Sequence, residues 1–361
     1  MIRKFKVQSS KFKVNKKRFL FFSILFLSAI YCLLPTIAYA GEIRSRAAIV
    51  MEASTGRILY GKNPNLRLPP ASTTKLATAM VALDRANPND TIVISEKAAG
   101  CSAINARFRV GERVTVETLL NAALIKSAND AAFALAEGVA GSEERFVELM
   151  NEKVLALGMT DTKFINATGL PGDGQYITAY DLARMLRHAL RYPLIKEIVS
   201  TKANRISTED GREIFVKNSN RLLWADDSVL GGKTGYTRAA KHCFVCASEH
   251  GGETLITGIL GAPTRGQLWR ESEQLTEKGF AIASGKEEPV LYFTRADYRT
   301  SIQPVSYETK KTDVKEASKS KTHKKALKKK GKKAKVKKYV KKHKTNKGVH
   351  ADVRESGGNK G

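Results

Sequence analysis

The positive charge of this chain is concentrated at its two ends, and this limits where a folded core can form. Of a formal net charge of +27, residues 1–18 contribute +8 and residues 309–361 contribute +17. Residues 19–308 between them carry a net charge of only +2. Within a strongly basic segment the positive side chains repel one another, which opposes compact packing. The packed domain must therefore lie between the two ends.

The amino-terminal end has the pattern of an export signal. After the basic residues 1–18 comes the apolar run 19–34, then Pro35 and the sequence Ala38-Tyr39-Ala40. This order predicts a signal peptide over residues 1–40 that is cleaved after Ala40. An uncleaved membrane anchor is the alternative, because the apolar run is long. Both predict an exported protein of the periplasm or cell envelope, and the second makes it membrane-associated.

The carboxyl-terminal end has the composition of a disordered tail. We predict a folded domain over residues 41–286, a linker over 287–308 and a disordered lysine-rich tail over 309–361. A polycation can bind nucleic acid by counterion release, but Tyr339 is the single aromatic residue of the tail, and base stacking is therefore poorly supported. Export favours an anionic envelope polymer or membrane surface as partner and excludes nucleic acid. The alternative is a tail that only improves solubility.

The order of apolar patterns in the central segment predicts the fold class. A β-hairpin is expected over 47–63, successive strands over 230–261 and a closing helix over 265–284. Between the hairpin and the later strands, helical patterns are expected over residues 72–87, 115–141, 141–159 and 178–190. The prediction is an α/β (α+β) sandwich, in which both ends of the domain share an antiparallel sheet flanked by helices and an all-helical subdomain lies between them.

Cys243 and Cys246 have the spacing of a redox or metal-binding pair, but they fall in a predicted strand. Residues three apart on a strand point to opposite faces, so a disulfide between them would be strained. We predict buried free thiols, and neither a metal nor a cofactor.

The first candidate reactive pair is Ser72 and Lys75 in "PPASTTKLATAM". Residues three apart on a helix share a face, and a serine hydroxyl needs an adjacent base to become a nucleophile. A helix start adds free backbone N–H groups that can stabilise an oxyanion. The same spacing at Ser10 and at Ser318 lies in charged segments that lack this context.

Two further motifs follow in the chain. Ser127-Ala128-Asn129 lies at a break between two helical patterns, and Lys233-Thr234-Gly235 follows Gly231-Gly232 at the start of a strand. Glycines at that point predict a close approach of the backbone to a ligand. Ser-x-x-Lys, Ser-x-Asn and Lys-Thr-Gly, in this order, are the motifs of penicillin-recognising serine enzymes.

With these motifs and the blocks around them, residues 43–284 closely resemble the low-molecular-weight D-alanyl-D-alanine carboxypeptidases, which are penicillin-binding serine peptidases. The blocks include "ALIKSANDAAFALAE", "LGMTDTKFINATGLPGDGQYITAYDLARM", "NSNRLLW" and "LGGKTGYT". The resemblance implies a β-lactamase/DD-peptidase-like fold. It also implies removal of the terminal D-alanine from peptidoglycan stem peptides and covalent binding of β-lactam antibiotics.

The resemblance assigns three catalytic residues. Ser72 would attack the carbonyl of the penultimate D-alanine and form the acyl-enzyme. Lys75 would accept its proton, kept neutral partly by nearby Lys233. Ser127 would relay a proton between Lys75 and the leaving amine.

The resemblance also assigns the substrate-binding residues. Asn129 would hold the substrate amide, and Lys233 and Thr234 of the Lys-Thr-Gly motif, which Gly235 completes, would bind the terminal carboxylate. The N–H groups of Ser72 and Tyr236 would form the oxyanion hole.

The chain departs from the family pattern at three places. Tyr236 stands where the family often has histidine, although the implied role uses only its backbone N–H. Pro263 stands where a basic residue often precedes the threonine, and Arg265 is the candidate substitute. The family often adds a β-rich second domain and an amphipathic membrane helix, and residues 285–361 are too short and too lysine-rich for both.

Two alternative activities stay open within this group. A D,D-endopeptidase that cuts peptidoglycan crosslinks would use the same residues. A class A β-lactamase would need a deacylating glutamate in an E-x-x-L-N element after the second motif. Residues 117–121, from Glu117 to Asn121, match that pattern but precede Ser127 and are predicted to be an ordinary helical segment.

Overall fold

Strands from both ends of the described chain meet in one six-stranded sheet. The computed structural model describes residues 42–294. The order of the strands across the sheet is β10-β2-β1-β9-β8-β7, with β7 at one edge. These strands are β1 (Ala47–Glu52), β2 (Ile58–Lys62), β7 (Val229–Thr237), β8 (Lys241–His250), β9 (Glu253–Ala262) and β10 (Val290–Tyr292).

Most of the helices lie in the insert between the hairpin and the later strands. A 3₁₀ turn, Ala71–Thr74, leads into the first α-helix. The helices are α1 (Lys75–Arg85), α2 (Glu96–Ala99), α3 (Val116–Asn121), α4 (Asn129–Ala140), α5 (Glu143–Ala156), α6 (Ala179–Ala189), α7 (Pro193–Ser200), α8 (Leu222–Ala225) and α9 (Arg265–Ala283). The predicted hairpin, the three strands that follow the insert and the closing helix are all confirmed.

The large sheet is covered on both faces, which explains its apolar strands. In β1, Ala47, Ile49 and Met51 pack into the core shared with the helical insert, whereas Ala48 and Val50 pack into the core beneath α9. All six residues of β1 are buried. A strand buried on both faces has a continuous apolar run instead of alternation.

The cysteine prediction is confirmed on β8. Cys243 belongs to the core on the insert side, and Cys246 belongs to the core on the α9 side. Both are free thiols, and burial raises the pKa of each to about 12. They are therefore packing residues of the sheet.

The structure contains several short strands that the sequence patterns did not predict. The insert, predicted as all-helical, includes one ribbon of β3 (Thr91–Val93) with β4 (Arg113–Thr115) and another of β5 (Ala203–Ser207) with β6 (Glu213–Lys217). Of these four strands, only β6 falls in a segment whose pattern predicts a strand, "REIFVKNSNRLLW". The strand β10 pairs in parallel with β2, inside the range predicted as a linker. Strands of three to five residues are too short to show a reliable period.

Thr178 and Asp181 at the start of α6 have the spacing of a capping box, but the box forms only in part. Thr178 Oγ1 accepts a hydrogen bond from Asp181 N at 3.0 Å, as expected for an N-cap. The Asp181 carboxylate instead accepts from Asp161 N and Thr162 Oγ1, at 3.1 and 2.8 Å. It therefore fastens the preceding loop and does not close the box.

The predicted signal segment, residues 1–40, and the predicted tail, residues 309–361, lie outside the described residues. Over residues 42–294, none of the helices combines the length and the apolar character that a membrane span requires.

A buried carboxylate on α9 holds the start of the described chain. Glu271 is fully buried and accepts hydrogen bonds from Arg44 N at 2.6 Å and from Ser45 N at 3.1 Å. The Ser45 hydroxyl and Gln267 Nε2 also donate to it. The segment before β1 is thus fixed to the closing helix.

We expect Glu271→Ala to lower the free energy of unfolding by about 2–3 kcal/mol, because buried N–H donors lose a charged acceptor. Urea denaturation measures the change, and Glu273→Ala, an exposed glutamate on the same helix, is the control. Equal midpoints for the two variants would contradict this role.

Candidate active site

Ser72 lies in a strained turn at the amino-terminal end of α1. The 3₁₀ turn Ala71–Thr74 places its hydroxyl at the surface of a groove beside β7. Ala71 has a left-handed φ of 49°, which is costly for a residue with a Cβ. Gly169 packs against this turn so closely that a Cβ there would lie 1.9 Å from Ala71 O. Ser72 is therefore held by packing that tolerates no side chain at residue 169.

Lys75 is fully buried one turn after Ser72. Its Nζ lies 3.1 Å from Ser72 Oγ, 2.7 Å from Asn129 Oδ1 and 2.6 Å from Thr168 O. Asn166 Oδ1 accepts from Gly169 N at 2.7 Å and shapes the loop that presents the Thr168 carbonyl. The lysine amine is thus fixed against the serine hydroxyl by two oxygen acceptors.

Ser127 lies at the predicted break between two helical segments. A turn of π-helix, Ala122–Lys126, ends at Ser127, which has a left-handed φ of 68°. Its Oγ accepts a hydrogen bond from Lys233 Nζ at 2.8 Å. Helical irregularities and left-handed non-glycine residues are frequent at functional sites, because strain there fixes a side chain in one position.

Burial changes the protonation of both lysines. The pKa of Lys75 lies well below its usual value, first because burial disfavours the ammonium and second because the charge of Lys233 repels it. Burial also lowers the pKa of Lys233, to about 7. A neutral amine beside a serine hydroxyl can accept its proton, so this geometry is suited to activating a nucleophile.

Two predicted substrate-binding residues are engaged within the protein. Asn129 accepts from Lys75 Nζ and its Nδ2 donates to Ser102 O at 2.9 Å. Lys233 is almost fully buried and also donates to Thr234 O at 3.0 Å. Neither side chain lines the groove. Their contacts position Lys75 and Ser127, and direct contact of either side chain with substrate stays a prediction.

The edge strand β7 forms the opposite wall of the groove. A Cβ at Gly235 would lie 2.8 Å from Ser72 N, so the strand passes directly beside the serine. Tyr236 is exposed and its ring stacks on His242 with 4.5 Å between centroids. The groove has a volume of about 290 Å³ and is lined by Ser72, Ile104, Ser127, Ser219, Thr234, Gly235, Tyr236, His242, Arg265, Leu268 and Trp269.

The two glycines before the Lys-Thr-Gly motif pack closely against neighbouring backbone. A Cβ at Gly232 would lie 2.1 Å from Val245 O on β8. One at Gly231 would lie 2.7 Å from Val199 O at the end of α7. The close backbone approach at the groove is made by Gly235.

Several residues of the groove were missed from the sequence. Ser219 Oγ lies 2.5 Å from Thr234 Oγ1, and Trp269 lines the wall beneath Arg265. Arg265 itself is where the sequence placed a candidate substitute cation. Ser219 lies in the block "NSNRLLW", which contributes to the resemblance but assigns no role to the serine.

A serine on a helical turn, a buried lysine of lowered pKa beside it and a second serine held by another buried lysine are the arrangement expected of the penicillin-recognising serine enzymes. Residues 35–264 match the family model described as D-alanyl-D-alanine carboxypeptidase. The chain therefore belongs to the D-alanyl-D-alanine carboxypeptidase family.

Two curated relatives show the range within the family. The chain is 38% identical over 225 residues to the D-alanyl-D-alanine carboxypeptidase DacF of Bacillus subtilis, across 61% of this chain and 58% of the relative. It thus spans less than two thirds of that relative's length. It is 34% identical over 252 residues to a D-alanyl-D-alanine endopeptidase of Pseudomonas aeruginosa, across 65% of this chain and 80% of the relative.

Two solved structures share the fold. A D-alanyl-D-alanine carboxypeptidase of Mycobacterium tuberculosis aligns with a TM-score of 0.63 at 33% identity, across 66% of this chain and 91% of that one. The Streptomyces K15 DD-transpeptidase aligns with a TM-score of 0.64 at 29% identity, across 67% of this chain and 98% of that one. The predicted fold class is confirmed.

We expect Lys233→Met to move the acid limb of the acylation rate to higher pH, by on the order of one unit. Without the repelling charge the pKa of Lys75 rises, so the base is lost at a higher pH as the solution is acidified. The measurement is the rate of covalent labelling by a fluorescent penicillin across pH. Lys233→Arg keeps the charge and should keep the midpoint; an unmoved midpoint in Lys233→Met would contradict the coupling.

Proposed function

We propose that this chain is a serine-type D-Ala-D-Ala carboxypeptidase that removes the terminal D-alanine from peptidoglycan stem peptides. The observation that supports this most directly is the 3.1 Å contact between Ser72 Oγ and a fully buried Lys75 amine. Family membership and the groove beside this pair agree with the proposal.

In the proposed acylation, Ser72 Oγ attacks the carbonyl carbon of the penultimate D-alanine while its proton passes to Lys75 Nζ. The amide bond then breaks, and Ser127 delivers a proton to the departing amine of the terminal D-alanine. Water next attacks the acyl-enzyme ester, releases the shortened peptide and returns the proton to Ser72. Ser127 is suited to this transfer because it lines the same groove and is held by Lys233.

The edge strand and the helix start supply the proposed binding groups. β7 is a free edge of the large sheet, so an extended peptide can pair with it along the groove. The N–H groups of Ser72 and Tyr236 would form the oxyanion hole, whose donors each contribute about 3–4 kcal/mol. Thr234, together with Ser219 and Arg265 of the same groove, would bind the terminal carboxylate. The contact of Lys233 with that carboxylate stays a prediction.

The position of Glu117 supports a peptidase over a β-lactamase. Glu117 is an exposed residue of the first turn of α3 and does not line the groove. Among the described residues, no carboxylate lines the groove at all. Because no acid there can activate a deacylating water, a bound penicilloyl group should leave slowly.

We also propose that the enzyme acts in the cell envelope, exported by residues 1–40, and that its lysine-rich tail tethers it to anionic envelope polymers or membrane surface. The support is compositional: the tail carries a net charge of +17 on residues 309–361. Polycations bind anionic surfaces in a salt-dependent way.

We expect Ser72→Ala to abolish covalent labelling by fluorescent penicillin and D-alanine release from a pentapeptide, because the nucleophile is gone. Ser54→Ala, an exposed serine of the β-hairpin, is the control and should label like the parent. The labelled parent should lose its adduct slowly on chase. Labelling that survives in Ser72→Ala, or rapid turnover of penicillin, would refute the mechanism.

We expect truncation after residue 308 to weaken sedimentation with anionic vesicles or isolated cell walls at low salt and to leave penicillin labelling intact. Added salt should remove the difference between the two forms, because it screens the tail. Unchanged binding after truncation would show that the tail only improves solubility.

A further inference from the structure

A second groove adjoins the candidate active site on the side of Arg265. This basic groove has a volume of about 620 Å³, and its walls include Lys217, Ser219, Arg221, Trp224 and Arg265. Ser219, Arg265 and Trp269 line both grooves, so the two are continuous. A hollow of this size accommodates a peptide fragment.

The charged side chains that line the basic groove are all positive. Lys217, Arg221 and Arg265 supply three cations, and no acidic residue lines the groove within the described chain. None of the three belongs to a salt bridge found among residues 42–294. Three exposed positive charges around one groove attract carboxylates.

Trp224 provides a rigid flat surface in the same groove. Its side chain is 45% exposed, which is unusual for tryptophan. Trp224 Nε1 donates to Asn218 O at 3.3 Å, and Lys217 Nζ lies 4.9 Å from the ring centroid. An exposed aromatic ring fixed by its neighbours offers contact area at little entropic cost.

The position of the basic groove indicates which part of a substrate can reach it. Ser219 Oγ contacts Thr234 Oγ1 at 2.5 Å, and these residues with Arg265 form the proposed site of the terminal carboxylate. The basic groove therefore lies beyond the residue that leaves. A pentapeptide ends at this point, whereas a crosslinked substrate continues there into a second stem peptide with free carboxylates.

We propose that the basic groove is the binding site for the second stem peptide of a crosslinked substrate, held by its free carboxylates on Lys217 and Arg221. The inference rests on the proposed acyl-enzyme chemistry at Ser72. The bond that breaks joins the D-alanine carbonyl to a side-chain amine of the second stem. That amine takes a proton and departs, and water then hydrolyses the ester on Ser72.

The test compares the double variant Lys217→Gln/Arg221→Gln with the parent on two substrates. For a crosslinked muropeptide dimer with free carboxylates, kcat/KM should fall about 5- to 10-fold at low salt, in line with the loss of two partly exposed ion pairs. For a monomeric pentapeptide it should change less than about twofold, because that substrate does not enter the basic groove. The matched control is Arg85→Gln/Lys196→Gln, which removes two exposed cations elsewhere and should behave like the parent.

A binding measurement gives a second readout. The chain has two tryptophans, and both line the basic groove. In Ser72→Ala, addition of the dimer should change tryptophan fluorescence and protect Trp224 from acrylamide quenching, and the pentapeptide should not protect it. When Ser72→Ala is combined with Lys217→Gln/Arg221→Gln, the protection of Trp224 by the dimer should weaken.

The outcomes separate this inference from the proposed function. Suppose that the parent releases D-alanine and labels with penicillin. If it does not cut the dimer, or if the double variant cuts the dimer as well as the parent does, the inference is wrong and the proposed function stands. If Ser72-dependent labelling and D-alanine release are both absent in the parent, the proposed function itself fails.

Discussion

The active site depends on the burial of two lysine side chains against one another. Lys75 and Lys233 are both almost inaccessible to solvent, and each is held by oxygen acceptors from other segments. In water an amine of this type is protonated and cannot act as a base at neutral pH. Burial and, second, repulsion by the charge of Lys233 lower the pKa of Lys75 and so favour its neutral form. The geometry around the pair must therefore be built by the whole fold.

The topology of the sheet brings these segments together. Lys75 follows the amino-terminal hairpin by 13 residues, whereas Lys233 lies on β7, more than 150 residues later in the chain. Both ends of the domain contribute neighbouring strands, with β1 pairing to β9. The 3₁₀ turn that presents Ser72 packs on β7 because Gly235 has no side chain. The long-range pairing of strands thus brings side chains from distant parts of the chain within hydrogen-bond distance of one another at the site.

The sequence predicted what depends on local patterns and motif order. The hairpin, the strand triplet, the closing helix and the break at Ser127 follow from apolar period and turn residues, and the structure contains all of them. What the sequence did not show depends on tertiary contacts. The hydrogen bond from Lys75 to Asn129 and the packing of Gly232 against β8 are visible only when the segments are adjacent. Ser219 has no sequence signal of its own, because its importance comes from contact with Thr234 across the fold.

The same burial that makes Lys75 a base is a cost to the folded state. A lysine whose folded pKa is lowered binds fewer protons than it does in the unfolded chain, between the lowered value and the ordinary one. For Lys233 this window runs from about 7 to the usual 10.5, and stability rises with pH across it. At neutral pH the fold therefore sustains a penalty from the lysine pair and from the left-handed Ala71 and Ser127. The two apolar cores on either side of the sheet offset that penalty, so the residues that stabilise the protein and those that would perform its chemistry are different sets.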